Sequence, residues 1–92
     1  MSQEIVDNPS RRRYELAVDG AVAFIDYRRS PGVITFVHAE VPPHLGGRGV
    51  GSMLARGVLE AARENGDKVV AQCAFVADFI SKHAEFHDLV AK

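Results

Sequence analysis

Four glycines fall at positions 46, 47, 49 and 51 of this 92-residue chain, where its hydrophobic period changes. Upstream, VITFVHAEV (33–41) alternates with the period of two of a strand. Downstream, Val50, Leu54, Val58 and Ala61 recur at helical spacing, flanked by Met53 and Leu59, and Gly66 after Glu64-Asn65 supplies a C-terminal stop. One or two glycines would satisfy a tight strand-to-helix turn. Four exceed that need, because each loses about 0.5–1 kcal/mol relative to alanine in regular structure. Without Cβ atoms in the way, successive N–H groups can point to one side as an anion-binding concavity, backed by the positive end of the helix dipole. The joint therefore predicts a phosphate-bearing ligand.

The rest of the chain arranges itself around that joint. Tyr14, Leu16 and Val18 alternate, Asp19-Gly20 follows, and a second run extends from Ala21 to Tyr27. Asp-Gly between two such runs signals a two-residue hairpin, since a type I′ turn needs positive φ at both positions. Arg29-Ser30-Pro31-Gly32 breaks the chain again before residues 33–41, which gives a meander of three antiparallel strands. KVVAQCAF (68–75) is a fourth strand; because a helix precedes it, it should run parallel to the third through a right-handed crossover. Phe75, Phe79, His83 and Phe86 then approach helical spacing, and the domain closes as one helix or two, with a break expected around Ala84. The expected fold is thus α+β: a three-strand meander, a βαβ crossover and C-terminal helices. Asn8-Pro9-Ser10 is a turn signal with nothing periodic before it, so residues 1–10 are expected to be a flexible leader and 11–92 a single domain.

Composition narrows the function classes. No stretch approaches the roughly 18–20 apolar residues that cross a bilayer, and MSQEIVDNPSRRR lacks the apolar segment of a signal peptide, so a cytoplasmic protein with no membrane partner is expected. One cysteine, Cys73, excludes an internal disulfide and leaves too few soft ligands for an ordinary zinc site; no metal is expected. A net charge of −1 argues against nucleic acid as a partner, and Arg11-Arg12-Arg13 followed by Glu15 reads as a solvated strand edge.

What the glycine joint lacks narrows the ligand. A P-loop needs Lys and then Ser or Thr after its final glycine, but Gly51 is followed by Ser52 and Met53. A dinucleotide fingerprint needs a third glycine where Leu54 stands. The segment Val41-Pro-Pro-His-Leu-Gly-Gly-Arg-Gly-Val-Gly-Ser-Met-Leu resembles instead the acetyl-coenzyme A pyrophosphate loop of the GNAT N-acetyltransferases: Gln or Arg, two residues, Gly, one residue, then Gly or Ala. Gly49 and Gly51 match the small positions, while Gly46 stands where Gln or Arg is expected. The order of FVHAEVPP, loop, LARGVLEAARENG, KVVAQC and AFVADFISKHAEF resembles the small YjdJ-like group of that superfamily over residues 12–90.

The resemblance implies an acetyl-CoA-dependent N-acetyltransferase, with a small-molecule or protein amine as acceptor. It places coenzyme A between the third and fourth strands, held by Val41, Gly46, Gly47, Arg48, Gly49, Val50, Gly51 and Ser52, its pantetheine arm pairing with the strand edge near residues 38–41. Strand alternation puts Ile34, Phe36, His38 and Glu40 on one face, and Val33, Thr35, Val37, Ala39 and Val41 on the other. His38 and Glu40 are candidates to accept the amine proton, directly or through water. Cys73, at the end of the neighbouring strand, matches a cysteine that the YjdJ-like group carries near the arriving thiol. Two departures stand against this. The group's Cys-Pro-Phe-Val is Cys73-Ala74-Phe75-Val76 here, and its His-Pro-Glu-Tyr is His83-Ala84-Glu85-Phe86. Many GNAT enzymes protonate the departing thiolate with a tyrosine on the late helix, which Phe86 cannot do; His83 or Cys73 would substitute, or the thiolate leaves unaided. A coenzyme A binding or sensing module without turnover is the alternative, and a protein-interaction domain using the edge of the first hairpin is a third.

Overall fold

Asp19 and Gly20 have φ of 50° and 79°, the positive pair that a type I′ turn requires, and they join β2 (Arg13–Val18) to β3 (Ala21–Ser30) as an antiparallel hairpin. Pro31-Gly32 makes the next turn, with Gly32 at φ 73°, and leads into β4 (Val33–Glu40), antiparallel to β3. The computed structural model describes residues 5–45 and 49–91. After the glycine joint, α1 (Val50–Asn65) ends at Gly66 in the left-handed region, where the Gly66 N–H bonds the Arg63 carbonyl and the Asp67 N–H that of Ala62. β5 (Lys68–Ala71) then runs parallel to β4. The expected α+β architecture is the observed one, with the parallel pair formed by β4 and β5.

The amino-terminal segment departs from expectation. Ile5–Asn8 form β1 and pair antiparallel with β2, so the meander has four strands and the sheet five, in the order β1-β2-β3-β4-β5. Four residues with one turn of alternation are too few to register as a strand by period. The reason they dock lies far away in sequence: a Cβ at Gly57, in the middle of α1, would sit 1.9 Å from Ile5 Cδ1. The bare helix surface at Gly57 is the seat of the Ile5 side chain.

β5 is shorter than the expected 68–75. It ends at Ala71, and the N–H groups of both Gln72 and Cys73 converge on the carbonyl of Phe36, at 3.0 and 2.9 Å. Two consecutive donors on one acceptor curl the chain off the sheet and into α2 (Ala74–Lys82). That helix breaks at His83, and a 3₁₀ turn over Ala84–Leu89 follows, as the expected interruption near Ala84 required. Val90 then bridges in parallel to Val69 on the outer side of β5.

Both helices pack on one face of the sheet. Leu16, Ile25, Ile34 and Phe36 from the strands, Leu54, Val58 and Leu59 from α1, and Val76, Phe79 and Ile80 from α2 belong to one buried cluster. Among the described residues the opposite face bears no helix; by the pairing registers it carries Val6, Arg13, Glu15, Val22, Phe24 and Asp26, with Val6 and Val22 exposed. Among the described residues no helix is long and apolar enough to cross a membrane.

At the end of the sheet remote from the glycine joint, Tyr27 donates to Asp7, while Arg29 donates to the Tyr14 hydroxyl at 3.2 Å and to Asp67 at 3.0 Å. Burial, the largest cause, raises the pKa of both tyrosines; the Asp7 carboxylate adds to the rise at Tyr27, and Arg29 opposes it at Tyr14. In the unfolded chain these phenols lose their protons near pH 10. Their contribution to stability is therefore complete below about pH 10 and is lost as pH rises through the folded values. Chemical denaturation should show stability declining above pH 10, and the double variant Tyr14→Phe, Tyr27→Phe should flatten that decline.

Candidate functional site

The β4–β5 ladder runs from Val33↔Lys68 to Phe36↔Ala71 and stops there, whereas β4 continues to Glu40. Residues 37–40 thus present an edge that, among the described residues, has no strand partner on the β5 side. The Phe36 carbonyl, occupied by Gln72 and Cys73, is the vertex from which the two strands part. A cleft between parallel strands at their carboxyl ends, beside the start of the crossover helix, is a general ligand position in βαβ folds.

The faces of β4 differ from strict alternation. Asp26 of β3 pairs with His38, but Tyr27 pairs with Phe36, so Val37 is an extra residue, a β-bulge. One extra residue exchanges the faces beyond it. Ile34 and Phe36 stay in the core, Ala39 opposite Ile25 and Val41 pack against it, and His38 and Glu40 move to the helix-free face beside Asp26 and Phe24. His38 and Glu40 do share a face, as expected, with His38 Nε2 3.6 Å from Glu40 Oε2. They do not share it with Ile34 and Phe36.

Their surroundings on that face are specific. The Phe24 ring lies 6.3 Å from the His38 ring and carries the Arg13 guanidinium 3.8 Å above its centroid. Arg13 Nε is 3.3 Å from Asp26 and makes no hydrogen bond. Arg13 is thus a half-buried member of the sheet face, while Arg11 and Arg12 lie exposed in the preceding turn. Val22, Phe24, Glu40, Val41, Pro42 and Pro43 enclose a hollow of about 140 Å³ next to the carboxyl end of β4.

On the other side of the cleft, α1 begins at an uncapped N-terminus. Gly49 is its N-cap, with φ 76° and no side-chain cap, and the first turn contains no acidic residue. The first N–H to bond within the helix is that of Met53, to Gly49 at 3.0 Å, so the N–H groups of Val50, Gly51 and Ser52 precede the helical ladder. The Val50 side chain is buried in the core, leaving only its backbone for a ligand. Gly51 has a second role: a Cβ there would lie 2.8 Å from Cζ of Phe75, which rests half-exposed against it from α2. The expected contacts at Gly46, Gly47 and Arg48 lie outside the described residues.

Cys73 is the N-cap of α2, buried, rather than the last residue of β5. Its backbone N–H is fixed on Phe36, which sets the thiol-bearing residue at the vertex of the cleft. His83 stacks on Phe79 with centroids 3.8 Å apart, and its Nδ1 is 2.7 Å from the Phe79 carbonyl, so its ring packs. Phe86 is buried against Phe79 at 6.1 Å. Among the described residues no group of His, Cys, Asp and Glu is arranged to hold a metal.

Sequence reasoning missed Val22, Phe24, Pro42, Pro43 and Phe75. The hairpin at Asp19-Gly20 fixes which residues of β2 meet β3, but nothing local announces that Phe24 will face Glu40 across a bulged register. Phe75 became relevant only through its distance to Gly51.

Known proteins share this fold. A family model described as GCN5-related N-acetyl-transferase matches residues 13–89. Among solved structures, the solution structure of a GCN5-like N-acetyltransferase candidate from Staphylococcus aureus superposes with a TM-score of 0.74 at 33% sequence identity, covering 96% of this chain and 87% of that one.

Proposed function

Because the chain belongs to the GCN5-related N-acetyltransferase family, we propose that it transfers an acetyl group from acetyl-coenzyme A to an amine by direct attack. The observation that carries the proposal is the parting of β4 and β5 beside the uncapped start of α1. The N–H groups of Val50, Gly51 and Ser52, which precede the helical ladder, suit the pyrophosphate of coenzyme A, joined by the glycines before them and by Arg48. The free edge at residues 37–40, with Val41 beyond it, suits the amide-bearing pantetheine arm, as an added strand pairs with a sheet edge. A backbone N–H at that edge would polarise the thioester carbonyl, and Glu40, with His38 beside it, would take the proton of the attacking amine. Cys73, fixed at the vertex, would meet the sulfur end of the cofactor.

The order of elements over residues 12–90 favours a place in the compact YjdJ-like group, with Ala74, Ala84 and Phe86 as departures from its pattern. A single buried thiol suits a reducing compartment such as the cytoplasm. Titration calorimetry of the full chain with acetyl-CoA and with coenzyme A is the direct test; saturable binding by both is expected, and no heat at millimolar ligand would refute the proposal. Phe86, buried at the position where the GNAT resemblance implies a thiolate-protonating tyrosine, favours a second reading, a coenzyme A sensor without turnover. Acetyl transfer to any amine in a screen would rule that reading out.

A further inference from the structure

We propose that the acceptor is an unbranched alkyl amine that enters from the helix-free face of the sheet, its carbon chain in the hollow beside β4 and its nitrogen at Glu40. The proposal rests on the acetyltransferase reading above and names its acceptor site. The bulge at Val37 is its first support. By turning His38 and Glu40 away from the helices, it opens them to solvent on the face opposite α1 and α2, with side chains 57% and 65% exposed. An amine reaching Glu40 crosses no packed layer, and the acetyl group would arrive from the β5 side of the same strand.

The hollow next to Glu40 supplies the second support. Val22, Phe24, Val41, Pro42 and Pro43 give it apolar walls, and among the described residues Glu40 is the one charged group lining it. Its volume of about 140 Å³, open on one side, admits a short alkyl chain rather than a bulky group. A sugar would set hydroxyls against proline and valine with no partners, which costs about 1–3 kcal/mol for each group left unsatisfied.

Charge selects further. Arg13, the cation on this part of the face among the described residues, is held by Asp26 at 3.3 Å and by the Phe24 ring at 3.8 Å, so it does not neutralise Glu40. Glu40 favours an ammonium group and disfavours an acceptor carrying its own carboxylate at the far end of the chain. In the reaction the ammonium first gives one proton to Glu40. The nitrogen lone pair then forms the C–N bond to the thioester carbon, and the C–S bond breaks with its electron pair leaving on sulfur. A second nitrogen proton balances that thiolate, so the products are the N-alkylacetamide and coenzyme A thiol.

The test measures thiol release from acetyl-CoA by the full chain with n-butylamine, 4-aminobutyrate, glucosamine and Nα-acetyl-lysine methylamide. Butylamine is expected to exceed 4-aminobutyrate and glucosamine in kcat/KM by about tenfold or more. A lysine derivative equal to butylamine would identify a peptide lysine as the source of the alkyl amine, and one far below it a free amine; either supports the site. Val22→Trp, at an exposed position of β3, should fill the hollow and cut kcat/KM for butylamine about tenfold with the acetyl-CoA Kd unchanged. In the wild-type chain with coenzyme A bound, butylamine should shift the amide resonances of Val22, Phe24 and Glu40, a readout that does not depend on a variant folding. Parity of 4-aminobutyrate or glucosamine with butylamine, no effect of Val22→Trp, or shifts located elsewhere would overturn the site while leaving coenzyme A binding intact. Failure to bind acetyl-CoA would overturn the parent reading, and the acceptor site with it.

Discussion

Replacing Phe36 with alanine should lower the folding free energy by about 3–5 kcal/mol, the usual cost of deleting a fully buried phenyl ring. The ring is 0% exposed, Phe36 faces Tyr27 on β3, and it forms the last pair with β5 at Ala71. Small domains are stable by about 5–15 kcal/mol, so this one change removes a large part of the total. Urea unfolding should show a midpoint lowered by about 1 M or more with an unchanged slope. A loss below about 1 kcal/mol would mean that the site collapses around the missing ring and that the packing described is wrong. The substitution has a functional side as well. The Phe36 carbonyl accepts from the N–H groups of Gln72 and Cys73, so losing the buried ring should loosen that vertex. Where the variant remains folded, at low temperature, its affinity for coenzyme A should fall too.

Glu40→Gln should reduce kcat for amine acetylation by about 10²–10⁴, the range over which a positioned general base contributes. Gln preserves the shape of the side chain and removes its capacity to accept a proton. Because the Glu40 side chain is 65% exposed and its close side-chain neighbour among the described residues is His38, the fold and the Kd for acetyl-CoA should be unaffected. His38→Ala should have a smaller effect. If the two results came out reversed, the base would be His38, and Glu40 would be left with the ammonium group to orient. Full activity in both variants would remove this chemistry from the protein. Steady-state kinetics beside calorimetry separates these outcomes, since only the chemical step should move.

The parts legible in the sequence are those set by local conformational rules. Asp19-Gly20 specified a hairpin because few residue pairs tolerate two positive φ angles in succession, and both angles are positive here. The change of period at residue 50 specified a helix, and Gly66 its end, because both follow from residues within one or two turns. Glycines 46, 47, 49 and 51, with no lysine after them, were enough to argue against a nucleoside triphosphate loop, and the coenzyme A reading came from the resemblance of that segment to the GNAT pattern. His38 and Glu40 emerged as candidates from their spacing of two, which survives whichever face they occupy.

Which face that is, only the tertiary structure decided. Nothing in VITFVHAE marks Val37 as an extra residue; the bulge is a property of how β4 meets β3, and a slip of one residue exchanges every side chain beyond it. β1 was equally invisible, because the reason for it is the bare surface of α1 at Gly57, some fifty residues downstream of Ile5. Gly51 looked like backbone cleared for a ligand and is also space cleared for the Phe75 ring. Sequence by itself determined the order of elements from β2 onward and their parallel or antiparallel sense, because these depend on neighbours along the chain. Register, the end of β5 and the face that carries Glu40 depend on neighbours across it, and those are fixed only when the strands pair.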